Sequence, residues 1–189
     1  MSIEKTAYTI VRFDESVLPL LPRPEEPFEI IGRLVPEYDG RQWTLSEELL
    51  DAPRKKTYPN DSFDPMMYVD NPDEAAFLAM HGGTCVGSLR VCKRWNKNAF
   101  IDDLAIDRAH RGRGVGTMLM DAAVAWGKEK GLHGVSLETQ DWNLLACRFY
   151  LKYGFKLGGI DRCVYDAGAY RGETALYFYL LPEGGANNA

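Results

Sequence analysis

Strand patterns fill the first half of this 189-residue chain, and two helical patterns interrupt strands in the second. That order predicts an α/β architecture, a mixed sheet covered by helices. Three observations carry the prediction. Asp39-Gly40 and Gly82-Gly83 each separate two strand-like runs, the signature of β-hairpins. Val115 to Lys130 and Asn143 to Tyr153 repeat apolar residues at helical spacing. Between and after those helices lie further strand-like runs, with too little βα alternation for a doubly wound sheet.

Thr6 to Phe13 reads as the first strand. Pro19, Pro22, Pro24 and Pro27 follow, and a proline-rich run of this kind predicts an extended connector rather than a helix interior. Phe28 to Tyr38 and Arg41 to Leu45 flank Asp39-Gly40 as the arms of a hairpin. Ser46-Glu47-Glu48-Leu49-Leu50 has the composition of a short capped helix. Lys55 to Asp73, rich in Pro, Asn and Asp, predicts a long loop near the substrate. Ala76 to His81 and Thr84 to Lys93 form the second hairpin, and Phe100 to Ile106 the next strand. The helix from Val115 ends at Gly131, a strand covers Gly134 to Gln140, and the second helix ends at Gly154. Phe155 to Tyr165 and Ala175 to Leu181 read as the last strands, and Gly184 to Ala189 as a frayed tail.

Composition bounds the function. The length suits one well-cored domain, taken as residues 1–183. Hydrophobic residues at 46% and charged residues at 26% are ordinary for a water-soluble protein. A formal charge of −5 argues against a nucleic-acid binder and is compatible with a cationic small substrate. Cys85, Cys92, Cys147 and Cys163 form no C-x-x-C pair and read as reduced, mostly buried thiols. His81, His110 and His133 lack ligand spacing, so no metal is expected. Trp95, Trp126 and Trp142 read as packing residues, with Trp142 also a candidate to flank an acceptor cleft. Met1 to Glu15 lacks the apolar stretch of a signal peptide, and no apolar run is long enough for a bilayer. A cytoplasmic protein without membrane partners is the expectation.

The most informative stretch is Arg111-Gly112-Arg113-Gly114-Val115-Gly116, at a strand-to-helix junction. Glycines let backbone N–H groups approach an anion, a helix N-terminus adds unpaired donors, and arginine adds charge. A phosphate-bearing ligand is expected there. A P-loop would need Lys-Ser/Thr after its last glycine, and the dinucleotide fingerprint would need a third glycine further on. Neither is present.

The remaining pattern, Arg111-x-x-Gly114-x-Gly116, resembles motif A of the GNAT family of N-acetyltransferases. Downstream, Asn143-x-x-Ala146-x-x-Phe149-Tyr150, then Gly154-Phe155, resembles motif B of the same family. Two motifs in the right order and separation are far more specific than either alone. The resemblance implies a GNAT fold: a mixed, mostly antiparallel central sheet flanked by helices on both faces, here with an N-terminal β-hairpin extension. It implies an acetyl-CoA-binding core at about residues 76–181. Arg111, Gly112, Arg113, Gly114, Val115, Gly116 and Thr117 would hold the coenzyme's pyrophosphate. Leu104, Ala105 and Ile106 map to a strand bulge whose backbone binds pantetheine and polarises the thioester carbonyl. Asn143 would hydrogen-bond the pantetheine, act as an N-cap, or do both.

Acyl transfer to an amine needs a base, an oxyanion donor and an acid for the departing thiolate. Tyr150 matches the family's general acid; its bland alternative is a core tyrosine on an amphipathic helix. Glu138 matches the base of ribosomal-protein and N-terminal-amine acetyltransferases. Its alternatives are attraction of a cationic acceptor or pairing with a basic neighbour. Asp102 and Asp103 are the other base candidates, and strand alternation sends them to opposite faces.

A narrower resemblance covers most of residues 27–181. Pro27 to Pro36, Trp43, Lys56 to Asp61, Leu137 to Gln140, Gly158 to Asp161 and Ala175 to Tyr179 are similar to streptothricin acetyltransferases. Members usually carry Glu at the position of Asp102 and a more polar pair at Asp141-Trp142. The resemblance implies acetylation of the β-lysine portion of streptothricin, a polycationic antibiotic; such an acceptor would suit Asp102, Asp103, Glu138 and Asp161 as substrate-binding carboxylates if they cluster. The protein would act as a monomer or homodimer. The runner-up acceptor is a protein or peptide amine, and a different class altogether is a non-catalytic acyl-CoA sensor.

Overall fold

The structure, a computed structural model, describes residues 7–21, 27–57, 63–167 and 170–182. The tail at 184–189, Thr6, Pro22, Pro24 and the Tyr58 to Ser62 part of the expected loop lie outside the described residues. The chain divides into two compact units, one from residues up to 24 and 60–135, the other from 25–59 and 136 onward.

In the first unit, strands β1 (Thr9–Arg12), β4 (Glu74–His81), β5 (Thr84–Lys93) and β6 (Asn98–Ile106) run in the order β1-β4-β5-β6, each antiparallel to its neighbour. Helix α1 (Val115–Glu129) buries Val115, Leu119, Met120, Ala123 and Trp126, the stripe expected from helical spacing. The helix packs on β4, β5 and β6. A second cluster forms from Phe13, Leu21, Tyr68, Ala76 and Leu78.

That cluster corrects the expectation for Pro19. Glu15–Leu20 is a three-ten helix with Pro19 inside it, not an extended connector. Asp14 caps the turn by accepting from the Ser16 N–H at 2.8 Å, and Val17, Leu18 and Leu20 pack against the buried cluster. A short three-ten turn bonds i to i+3, so proline's missing N–H costs it little, and buried apolar contacts outweigh the local preference.

In the second unit, β2 (Phe28–Tyr38) and β3 (Trp43–Lys56) form the expected hairpin. Asp39 Oδ1 accepts the N–H groups of Arg41 and Gln42, each at 2.8 Å. The second arm is 14 residues long and absorbs Ser46 to Leu50, so the short helix expected there is strand instead. Ser46 pairs with Val35, and Glu47 and Glu48 with Leu34 and Arg33. Pairing with β2 overrides the capping signal, because an isolated single-turn helix has no cooperative stability of its own. The expected loop from Lys55 likewise begins only after β3 ends, and Pro65–Tyr68 within it is a three-ten turn.

The same unit holds β7 (Gly134–Gln140) from Ser136 onward, then β9 (Ala175–Leu180) and β8 (Lys156–Asp161) in that order, with β8 antiparallel to β9. The strand expected from Phe155 to Tyr165 stops at Asp161 and gives way to a turn. Helix α2 (Leu144–Tyr153) packs against β2 and buries Leu144, Cys147 and Tyr150. No helix among the described residues is long and apolar enough to cross a membrane.

Candidate active site

Arg111 to Gly116 adopts the backbone that its composition demands. Gly112 and Gly114 take φ of 72° and 85°, left-handed values that a residue with Cβ adopts only at a cost of about 1–2 kcal/mol. Gly114 is the N-cap of α1, no side chain caps that terminus, and its first turn holds no acidic residue. The leading N–H groups of an α-helix have no intrahelical acceptor, so Val115, Gly116 and Thr117 present donors at the positive end of a 15-residue helix. Arg111 is tied down by its Nε–H, which donates to the Ile106 carbonyl at 2.8 Å. The Arg108–His110 turn before it is held by a 2.9 Å hydrogen bond between the Tyr8 hydroxyl and His110 Nδ1. His81 and His110, far apart in sequence, meet here with ring centroids 5.3 Å apart.

Leu104, Ala105 and Ile106 pair in step with Leu89, Ser88 and Gly87. On this edge of β6 the break in register falls earlier, between the Val91–Ile101 and Arg90–Asp103 pairs, which leaves Asp102 as the extra residue. Asp102 accepts from Arg94 at 3.1 Å, and Asp103 faces Arg90 at 3.7 Å. Each aspartate therefore has its own arginine.

Glu138 sits on β7, half-buried and on the same face as Gln140, as period-two alternation requires. The Tyr165 hydroxyl donates to Glu138 Oε1, and Gln140 Nε2 donates to the Tyr165 hydroxyl at 3.0 Å. Burial pushes the Glu138 carboxyl above its ordinary value, and the charge of Asp161 adds to that. The Tyr165 hydrogen bond favours the ionised form and opposes both. Asp161 also shapes the backbone beside it. Its Oδ1 accepts the N–H groups of Cys163 at 2.7 Å and Val164 at 3.0 Å, fixing the turn after β8. Tyr165, which no sequence motif singles out, comes from that turn and is 8% exposed. Only spatial proximity identifies it, since 27 residues separate it from Glu138.

Tyr150 is 8% exposed on α2, with its ring near Phe149, Phe155 and Phe178 at centroid distances of 5.4, 5.9 and 6.1 Å. Asn143 is the N-cap of α2, accepting the Ala146 N–H at 3.4 Å. Two guanidinium groups lie over the Trp142 ring, Arg54 at 4.7 Å and Arg33 at 5.3 Å from its centroid. Trp126 is buried, whereas Trp95 is 94% exposed at the β5–β6 turn and is no packing residue, contrary to expectation. Of the four thiols, Cys163 is exposed rather than buried, and burial pushes the Cys147 thiol up to about 12.

Comparison with known proteins agrees with the motifs. Residues 41–155 match the acetyltransferase (GNAT) family. Streptothricin acetyltransferase A of Bacillus subtilis (strain 168) is 38% identical over 83% of this chain and 90% of its own length. A Bacillus anthracis str. Ames protein assigned as a streptothricin acetyltransferase, crystallised in complex with acetyl coenzyme A, superposes with a TM-score of 0.84. It is 30% identical over 94% of this chain and 99% of its own. Nourseothricin acetyltransferase superposes with a TM-score of 0.78 at 29% identity, over 93% and 99% of the two chains. The chain therefore belongs to the GNAT family of acetyltransferases, with a mixed α/β fold and mostly antiparallel strands, and within that family it is similar over most of its length to the streptothricin acetyltransferases.

Proposed function

We propose that this chain transfers the acetyl group of acetyl-CoA to an amine of a cationic small molecule, the β-lysine group of streptothricin, and so inactivates the antibiotic. The observation that carries the reading is Glu138, a half-buried carboxylate whose proton affinity burial raises, at the position of the family's base. The likeness to streptothricin acetyltransferases over more than four-fifths of the chain supports the choice of acceptor. A net charge of −5 suits a polycationic substrate drawn from cytoplasm.

Acetyl-CoA supplies the acyl group as a thioester. The positive-φ glycines, the helix N-terminus without a side-chain cap, and Arg111 and Arg113 fit its diphosphate. An amine of pKa about 10.4 is neutral only about once in 2,500 molecules at pH 7, a deficit of roughly 4.6 kcal/mol. Glu138 takes that proton, directly or through a water, as the nitrogen bonds to the acetyl carbon. Backbone N–H groups of residues 104–106 stabilise charge growing on the carbonyl oxygen. As the carbon–sulfur bond breaks, the Tyr150 phenol gives its proton to the departing sulfur, and Asn143 holds the pantetheine arm. Asp161, beside Glu138, adds negative potential for a cationic acceptor, whereas Asp102 and Asp103 spend their charge first on Arg94 and Arg90.

The test is thiol release by purified protein with acetyl-CoA and a panel of streptothricin, aminoglycosides, polyamines and peptides. Streptothricin is expected to give the highest kcat/KM. Preference for peptides would overturn the acceptor assignment, and thermal stabilisation by acetyl-CoA without turnover on any amine would mark a sensor instead.

A further inference from the structure

We propose that Tyr165 is a positioning residue for Glu138: its hydroxyl, held in turn by Gln140, pins one carboxylate oxygen and leaves the other to receive the amine proton. The inference rests on the reading of Glu138 as the base.

The two contacts divide the roles of the hydroxyl. A phenol has a single hydrogen to donate. Gln140 Nε2 donates to the Tyr165 oxygen at 3.0 Å, so that oxygen serves as acceptor toward β7, and its hydrogen is directed to Glu138 Oε1. Glu138 and Gln140 lie two residues apart on one face of a strand, which sets the spacing that a single hydroxyl bridges. The turn that delivers Tyr165 is itself built: Asp161 Oδ1 accepts two backbone N–H groups, and the Asp166 N–H donates to the Cys163 carbonyl at 3.0 Å. The Tyr165 ring rests against Tyr170 at a centroid distance of 5.3 Å. A bridging hydroxyl mounted on a fixed turn orients the carboxylate, and a charge-assisted hydrogen bond to it is among the stronger kinds.

The bond also tunes the base. Burial and the charge of Asp161 on β8 hold the Glu138 proton on, while Tyr165 favours its loss; Tyr177 on β9 also senses the Glu138 charge. Without the Tyr165 hydroxyl only the raising influences remain. The carboxylate then stays protonated to higher pH, and a protonated carboxyl is no base.

The experiment measures kcat/KM against pH with streptothricin as acceptor for the wild type, Tyr165→Phe, Glu138→Gln and the double variant. Tyr165→Phe is expected to move the acid limb up by about one pH unit, with the alkaline plateau within a few-fold of wild type and the KM for acetyl-CoA unchanged. Glu138→Gln is expected to lack the limb, and the double variant to match it. An unmoved limb in Tyr165→Phe, or a double variant that loses the product of both single effects, overturns the assignment of Tyr165 while leaving Glu138 as base. An acid limb that persists at the wild-type position in Glu138→Gln overturns the base reading itself, whereas a rise confined to alkaline pH follows the free amine and leaves that reading standing. If Tyr165→Phe folds poorly, fluorotyrosine at position 165 keeps the ring and strengthens the donor. The limb should then move down, and a stationary one again overturns the proposal.

Discussion

In the unit that bears Arg111 to Gly116, the chemistry on offer is main-chain: two left-handed glycines, a helix terminus without a side-chain cap, and one guanidinium bonded back to a carbonyl. In the unit that bears Glu138, it is side-chain: a half-buried carboxylate, a phenol and an amide linked in a row, with a second phenol on α2. On the proposed mechanism, the contrast follows from what each end of an acyl transfer requires. A diphosphate is a fixed charge, best met by preorganised N–H dipoles that do not titrate. Moving a proton needs groups whose protonation changes, and burial sets where that happens. The first unit should therefore govern affinity for the donor's diphosphate, and the second the dependence of turnover on pH.

Substitutions can break that division. The largest effect is expected from Glu138→Gln, a loss on the order of 10²-fold or more in kcat/KM near neutral pH. Partial recovery on alkaline assay is expected, because free amine then becomes abundant. Tyr150→Phe should lower kcat by a similar order, while acetyl-CoA affinity measured by calorimetry stays near wild type. A matching loss of donor affinity would show that Tyr150 grips the coenzyme rather than serving the proton. On the other side, Gly114→Ala forces a Cβ into φ of 85° and should cost about 1–2 kcal/mol in thermal or denaturant unfolding. Its acetyl-CoA affinity should fall, and the midpoint of its pH profile should not move.

Smaller effects sharpen the contrast. Asn143→Ala removes the N-cap of α2 and should lower stability by about 1 kcal/mol. A rise in KM for acetyl-CoA beyond what that loss explains is expected from the proposed hold on pantetheine, and its absence would leave Asn143 as an N-cap alone. The Glu138 carboxyl binds its proton more tightly when folded, so the stability tied to its neutral form is full at low pH. That stability is lost as pH rises through the raised value. Glu138→Gln should consequently melt at a slightly higher temperature than wild type at pH 8, with the difference closing in acid. No difference at either pH would mean that Tyr165 fully offsets the burial.

Much of this is legible from residue order alone. The arginine–glycine loop, β7 and the two helices are defined by local signals, and the structure places their ends within a residue or two of expectation. Helix periodicity, an Asn N-cap and a terminal glycine act within a few residues of themselves, so no distant information is needed. Ser46 to Leu50 shows the limit of such signals. The run has the look of a helix start, yet cross-strand pairing with Arg33 to Val35 wins. Pro19 fails the same way, because apolar neighbours on Phe13, Tyr68 and Leu78 stabilise a three-ten turn through it.

Local order thus settled where backbone donors would converge, because φ preference and helix polarity belong to single residues and single turns. It also named the carboxylates, since titratable groups are few and easily seen. How each of them is engaged came from contacts between distant segments. Arg94 and Arg90 engage Asp102 and Asp103, and Tyr165 reaches Glu138 from a turn 27 residues away. A proton affinity is a property of surroundings, and surroundings exist only once the chain has folded.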